Sequence, residues 1–218
     1  MGFFRGPKIV TDGLIGLWDP LNIKSYPGSG TNLYDLSGNN ITGTLRNTTM
    51  ATTETGSMIL DNVNDSISFG HHLELEPPNL TVCAWVNLLD RGDRHILITK
   101  WDGFSFEINA DSRPYQRISG SQFGDLYATD YLTWGKWHHI AFTFDNINNI
   151  RYIYVDGKES NTGSDTGSIA YTQGNFNIPY NNGPSYAKGK IGIVMMYNKA
   201  ISGAEIAQIY NAQKSRYL

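Results

Sequence analysis

The feature that most constrains the fold is two-residue alternation in runs too short to be helices. In Lys136–Asp145, KWHHIAFTFD, an extended chain puts Ile140, Phe142 and Phe144 on one side and His139, Ala141 and Thr143 on the other. Ile150–Val155 repeats the pattern with Ile153 and Val155 before an Asp156-Gly157 turn. Leu80–Leu89 sets Val82, Ala84, Val86 and Leu88 against Cys83 and Trp85, so both of its faces are apolar, as in a central strand. Arg94–Trp101 and Phe104–Ile108 flank Asp102-Gly103, a good two-residue hairpin turn. Further strands are expected at Leu14–Trp18, Met58–Leu60, Ser66–Phe69 and Lys190–Tyr197, with a polar excursion and a Thr/Ser-rich stretch over Thr42–Ser57. One short helix is expected at the C-terminal end. Ser202 and Glu205 have capping-box spacing, and Ile206, Ile209 and Tyr210 make one apolar stripe.

Composition agrees with one large all-β domain. The 218 residues include 23 Gly and 8 Pro, suited to many tight turns, and aromatics reach 12%. A net charge of −3, with no cluster of four basic residues, argues against nucleic acid as a partner. The single cysteine, Cys83, lies in the strand-like LTVCAWV and reads as a small buried hydrophobe, which excludes an intrachain disulfide framework. The N-terminal MGFFRGPKIVTD lacks an apolar stretch of signal-peptide length, and no segment is long enough to span a membrane. A soluble, disulfide-free protein without membrane insertion is expected, and a homo-oligomer is left open. Residues 1–12 are expected to be an arm ahead of a domain at 13–218. The arm is either a frayed terminus or a docking peptide built on Phe3, Phe4 and Arg5.

Ligand contact is expected between Trp101 and Trp137. There Trp101, Tyr115, Phe123, Tyr127, Tyr131 and Trp134 are interleaved with Arg113, Arg117, Asp111, Asp125 and Gln116. Sugar C–H faces stack on rings while hydroxyls take directional hydrogen bonds from planar polar groups. The same residue types serve protein interfaces, and half of the rings are expected in the core. His138 and His139 point to opposite faces of a strand, so joint metal ligation is not expected, and His71-His72 has no Cys or Asp at ligand spacing.

Six ordered blocks are similar to laminin-G-like domains of the concanavalin A-like lectin/glucanase superfamily. They are DLSGNNITG at Asp35–Gly43, DNVNDSI at Asp61–Ile67, LTVCAWV at Leu80–Val86, WHHIAFTFD at Trp137–Asp145, YIYVDGK at Tyr152–Lys158 and GKIGIVMMYNKAISGAEI at Gly189–Ile206. The resemblance implies an antiparallel two-sheet jelly-roll sandwich whose first and last strands lie side by side. It also implies a structural Ca²⁺ near Asp19, Asp35 and Asn39. Against that, relatives commonly read GKIDD where this chain reads Gly189-Lys-Ile-Gly192-Ile, and Asp35 and Asn39 equally suit Asx turns.

Glycanases on this fold carry alternating acidic residues on one strand, with acid and nucleophile about 5–5.5 Å apart in retaining enzymes. The chain has no such triplet. Glu74-Leu75-Glu76, before Pro77-Pro78, is its nearest approach, so no catalytic residue is expected. The wording SYPGSGT at Ser25–Thr31 and YNKAIS at Tyr197–Ser202 resembles domains of bacteriophage virion surface, fibre and decoration proteins. That resemblance implies a non-enzymatic virion protein, assembled in host cytoplasm, with capsid or tail proteins as partners. A free-standing lectin or adhesin binding host surface polysaccharide is the alternative, and a glycoside hydrolase a third.

Overall fold

The computed structural model describes residues 8–53, 55–120, 124–164, 167–179 and 187–218. Along the chain run β1 (Leu14–Trp18), β2 (Asn32–Leu33), β3 (Gly43–Arg46), β4 (Thr49–Ala51), β5 (Ser57–Asp61), β6 (Ser66–Gly70), β7 (Leu80–Leu88) and β8 (His95–Lys100). These are followed by β9 (Phe104–Ile108), β10 (Pro114–Ile118), β11 (Leu126–Tyr127), β12 (His138–Asp145), β13 (Ile150–Val155), β14 (Lys158–Ser164), β15 (Phe176–Ile178) and β16 (Lys188–Tyr197). Helix α1 (Gly203–Tyr217) ends the order.

The strands form two antiparallel eight-stranded sheets packed as a sandwich. The first has the order β14-β13-β12-β7-β16-β5-β4, and the second β11-β10-β9-β8-β15-β6-β3-β2. In the first, β16 continues past β5 to pair with β1, setting Leu14 opposite Tyr197 and Trp18 opposite Val194. The two ends of the fold therefore lie side by side, as expected.

Strand alternation accounts for the interior. Val82, Ala84 and Val86 of β7 and Ile140, Phe142 and Phe144 of β12 meet Phe104, Phe106 and Ile108 of β9 between the sheets. The opposite side of the first sheet is also buried, because α1 covers it. Cys83, Ala141, Tyr154 and Met195 pack there with Ile206 and Ile209, and Trp85 stacks on Tyr217 at 4.5 Å. The predicted outward positions His139 and Thr143 are accordingly almost fully buried.

Two expectations change. The C-terminal helix has 15 residues, more than the sequence pattern promised, because Gln213 and Tyr217 extend its buried face by two turns. Its capping box is present, with Ser202 N donating to Glu205 Oε2 at 2.7 Å and Glu205 N to Ser202 Oγ at 3.3 Å. The Thr/Ser-rich stretch holds β3 and β4, which run along sheet margins and bury few large side chains, so it carried little apolar alternation.

Residues 8–12, placed in the arm by sequence, lie against this face where described. Val10 is buried, its carbonyl accepts from Tyr197 Oη at 2.9 Å, and Lys8 O accepts from Gln208 Nε2 at 2.7 Å. Phe3, Phe4 and Arg5 lie outside the described residues. Among the described residues, no helix is long and apolar enough to cross a membrane.

Candidate functional site

The outer face of the second sheet is polar, for a reason visible in its register. Phe104, Phe106 and Ile108 of β9 point into the sandwich, which leaves Ser105 and Glu107 outward. Across β9 and β10, Tyr115 faces Glu107 and Arg117 faces Ser105. Across β10 and β11, Tyr127 faces Tyr115. One sheet edge thereby gathers two rings, a guanidinium, a hydroxyl and a carboxylate.

These groups are interlocked. Tyr115 and Tyr127 stack at 4.8 Å and 17°. The Arg113 guanidinium lies over Tyr127 at 5.4 Å and over Tyr131 at 5.7 Å, while Arg117 lies over Tyr115 at 5.9 Å. Each arginine is also fixed by a carboxylate. Arg113 Nε donates to Asp111 at 2.8 Å, and Arg117 makes a two-pronged contact with Asp125 at 3.0 and 2.9 Å. The Asp125 contact raises the Arg117 pKa above its ordinary value, and Asp111 does the same for Arg113.

Glu107 anchors the floor. Its carboxylate accepts from Tyr115 Oη and from Ser105 Oγ, with Arg94 at 3.6 Å, and it is almost wholly buried. Burial, reinforced by the bond to Glu107, pushes the Tyr115 phenol well above the usual range, so it stays a hydrogen-bond donor.

The structure thus brings together Arg113, Tyr115, Arg117, Tyr127 and Tyr131. Tyr131 is 62% exposed and available as a platform, whereas Tyr115 is a 2% exposed strut. Trp101 is exposed but sits on the turn between β8 and β9, beyond the opposite end of β9. Trp134 is half-buried against the main core and the His95 ring at 5.4 Å. Phe123 lies outside the described residues. Sequence reasoning passed over Ser105, Glu107 and Arg94; the alternation in Phe104–Ile108 would have marked the first two as outward polar groups beneath the rings.

The residues expected near Ca²⁺ are otherwise engaged. Both Asp19 oxygens take the Arg216 guanidinium, at 2.9 and 2.7 Å. Asp35 Oδ1 accepts from the Leu17 and Ser37 amides at 3.0 and 2.8 Å, and its Oδ2 from the Ser37 hydroxyl at 2.7 Å and the Asn39 amide at 3.2 Å. Asn39 Nδ2 is given to Ile15 O. Among the described residues, no three His, Cys, Asp or Glu side chains are grouped to hold a metal. This donor set does not fit Ca²⁺, which takes six to eight oxygens.

The glycine at the GKIDD position has a structural cause. A Cβ on Gly192 would come within 2.4 Å of the Tyr217 hydroxyl, which accepts from Ile193 N at 3.0 Å.

The histidines and acids set aside on sequence are also paired or packed. His138 Nδ1 lies 2.9 Å from Asp156, and His139 packs on Trp85 at 5.4 Å. Glu76 meets Lys100 at 2.6 Å and His71 at 3.0 Å, and exposed Glu74 lies 3.9 Å from His72.

Comparison with solved structures finds the same fold in larger proteins. The binding domain of Paraclostridial Mosquitocidal Protein 1 superposes with a TM-score of 0.71 at 16% identity, over 93% of this chain and 52% of that one. The binding domain of Botulinum Neurotoxin DC, solved in complex with SialylT, gives 0.73 at 13% identity over 94% and 52%. Trypanosoma rangeli sialidase in complex with sialic acid gives 0.69 at 14% over 97% and 36%. The chain therefore spans about half of each toxin binding domain and about a third of the sialidase. No curated protein matches it. Residues 61–207, about two thirds of the sequence, match the laminin-G-like family described as the concanavalin A-like lectin/glucanases superfamily, and the chain belongs to that superfamily.

Proposed function

We propose that the chain is a non-catalytic carbohydrate-binding module whose ligand lies on the β9–β11 edge of the second sheet. The observation that carries this reading is the ladder in which exposed Tyr131 and half-buried Tyr127 share the Arg113 guanidinium while Arg117 lies over Tyr115. Rings for sugar C–H faces and planar donors for hydroxyls or a carboxylate occur within one side chain of each other, already held in place by Asp111, Asp125 and Glu107. Preorganisation of this kind reduces the ordering cost of binding.

Catalysis finds less support. Glu107 is committed to Tyr115 and Ser105, Asp111 to Arg113 and Asp125 to Arg117, so none of these three acids is free to act as proton donor or nucleophile. The toxin binding domain solved with SialylT adds fold-level support for a sugar ligand, by analogy.

On a glycan array, the folded domain is expected to bind at least one oligosaccharide, and Tyr131→Ala to weaken it about tenfold with an unchanged melting temperature. Binding to nothing on a broad array would sink the reading. Tyr131 is preferable to Trp134 for this test because Trp134 packs on the core.

The finer placement, on a bacteriophage virion surface among capsid or tail proteins and facing host polysaccharide, is supported by the wording at Ser25–Thr31 and Tyr197–Ser202. Deleting residues 1–7, which spares the Val10 contacts, is expected to abolish incorporation into particles while leaving the domain folded. Unchanged incorporation would remove Phe3, Phe4 and Arg5 as a docking arm.

A further inference from the structure

Residues 128–137 cross from β11 in the second sheet to β12 in the first and carry Tyr131, the exposed ring of the ladder. The Ala128 and Leu132 side chains enter the core, and Trp134 packs against it. The backbone of this segment is held on the second sheet by Ala128 N to Pro114 O at 2.8 Å and Leu132 N to Ser112 O at 3.1 Å, and on the first by Gly135 N to Leu88 O at 2.7 Å. Ser160 Oγ of β14 accepts from Thr129 N and Asp130 N at 3.1 and 3.0 Å. One further hold is of another kind: Thr133 N donates to His138 Nε2 at 3.0 Å. The other acceptors are carbonyl or hydroxyl oxygens, which accept at any ordinary pH, whereas an imidazole nitrogen stops accepting once protonated.

The Thr133 bond fixes the tautomer. A ring nitrogen that accepts from an amide carries no proton, so the neutral ring holds its hydrogen on Nδ1, which donates to Asp156 Oδ2 at 2.9 Å. Asp156 Oδ1 accepts from His139 N at 2.9 Å, which seats the carboxylate on β12. Burial raises the Asp156 pKa, but the hydrogen bonds from His138 and His139 outweigh it and leave the carboxyl below its ordinary value, ionised in neutral and mildly acid solution. The His138 side chain is 15% exposed, so protons reach it. A second proton on the ring goes to Nε2. It makes the Asp156 bond one between opposite charges and sets Nε2–H against Thr133 N–H, donor against donor. The ring therefore stays on Asp156 and the segment yields.

Asp156 is the charge that faces this ring from the β13–β14 turn. Across the strand pair β7 sets Val86 opposite, and the segment's own Asp130 and Lys136 are exposed to water. α1 brings Tyr210, whose phenol is raised by burial and by Asp156 and stays neutral. His139 packs on the other face of β12 against Trp85 and Tyr210, and His95 packs under Trp134, within reach of the charges on Arg91, Asp90 and Asp93. Burial holds both to about 4, so neither takes a proton in the range where an ordinary histidine does.

We infer that His138 is a proton-operated latch that fixes the Tyr131 platform while neutral and frees it when protonated. The latched form has no place for the second proton and the freed form does, so a falling pH favours release. The device belongs to the chain itself and stands whether or not the ladder's ligand is a sugar.

The test follows the full ¹⁵N-labelled chain by NMR between about pH 8 and 5. At the upper end, long-range imidazole spectra are expected to show His138 as the Nδ1–H tautomer. As its ring titrates, protection of the Thr133 amide, corrected for intrinsic exchange, is expected to fall about tenfold, and the Tyr131 amide to shift with the same midpoint. His138→Gln, which can still accept at the same reach but does not titrate, is expected to remove that midpoint from both signals. Should that variant fold poorly, Asp156→Asn, which removes the charge facing the ring, is expected to move the midpoints of the ring and of Thr133 to lower pH together. An Nε2–H tautomer at the upper end, Thr133 and Tyr131 signals indifferent to the ring's titration, or an unchanged profile in His138→Gln would overturn the inference.

Discussion

Glu107 is a carboxylate taken out of water and surrounded by donors, which makes it the side chain on which the ladder's geometry rests. Glu107→Ala strands the Tyr115 and Ser105 hydroxyls and leaves Arg94 and Arg117 less compensated, an expected loss of about 2–4 kcal/mol in urea unfolding. Tyr115→Phe removes one donor and should cost about 1 kcal/mol. A second residue-scale effect follows from two buried histidines. Burial lowers His95 and His139 from 6.5 to about 4, so both are neutral in the folded chain, whereas the unfolded chain protonates below about pH 6.5. The unfolded state therefore binds more protons between those values. Their contribution is whole above pH 6.5 and is lost as pH falls towards 4, by up to about 3 kcal/mol for each. Asp65, raised to about 6 by burial, titrates in the opposite sense below that pH and offsets part of the loss. Urea midpoints at pH 7 and 4.5 should differ accordingly, and His139→Phe should narrow the difference; a flat profile in the parent chain would contradict these assignments.

Among the elements, α1 acts as a lid that makes the first sheet buried on both sides. Trp85 illustrates this, stacking on Tyr217 and donating Nε1–H to Gln213 at 2.8 Å. The lid is held at its start by the capping box and at its end by the Arg216–Asp19 pair. Ser202→Ala is expected to cost about 1 kcal/mol. Gly192→Asp drives a side chain into the Tyr217 ring and should cost about 1–3 kcal/mol or displace the helix end, read as lost Trp85 near-ultraviolet dichroism. Unchanged dichroism and stability would mean that the helix is not seated as described. This element also shows what the sequence could and could not convey. Alternation in β7 and β12 and the spacing of Ser202 and Glu205 are local, so they were readable. The partner of Asp19 lies 197 residues away at Arg216, and that distance is why the ion pair could not be read from the local sequence. Similarly, Tyr115, Tyr127 and Arg113 were visible as residue types, but only strand pairing separates them from Trp101 and sets Glu107 beneath them.

As a whole molecule, the sandwich uses its two outer faces differently. One is sealed by α1 except for a groove along β12–β14, and the other carries polar and aromatic side chains gathered at the β9–β11 edge. Adding a ligand at that edge requires no change in the core, since the rings and guanidinium groups are already braced from below. The most direct test is a crystal structure of the chain with an oligosaccharide selected on the array. The account predicts a sugar ring on Tyr131 and Tyr127 with polar contacts to Arg113 or Arg117 and an unmoved β9–β11 backbone. A ligand bound elsewhere, with those four side chains untouched, would contradict it.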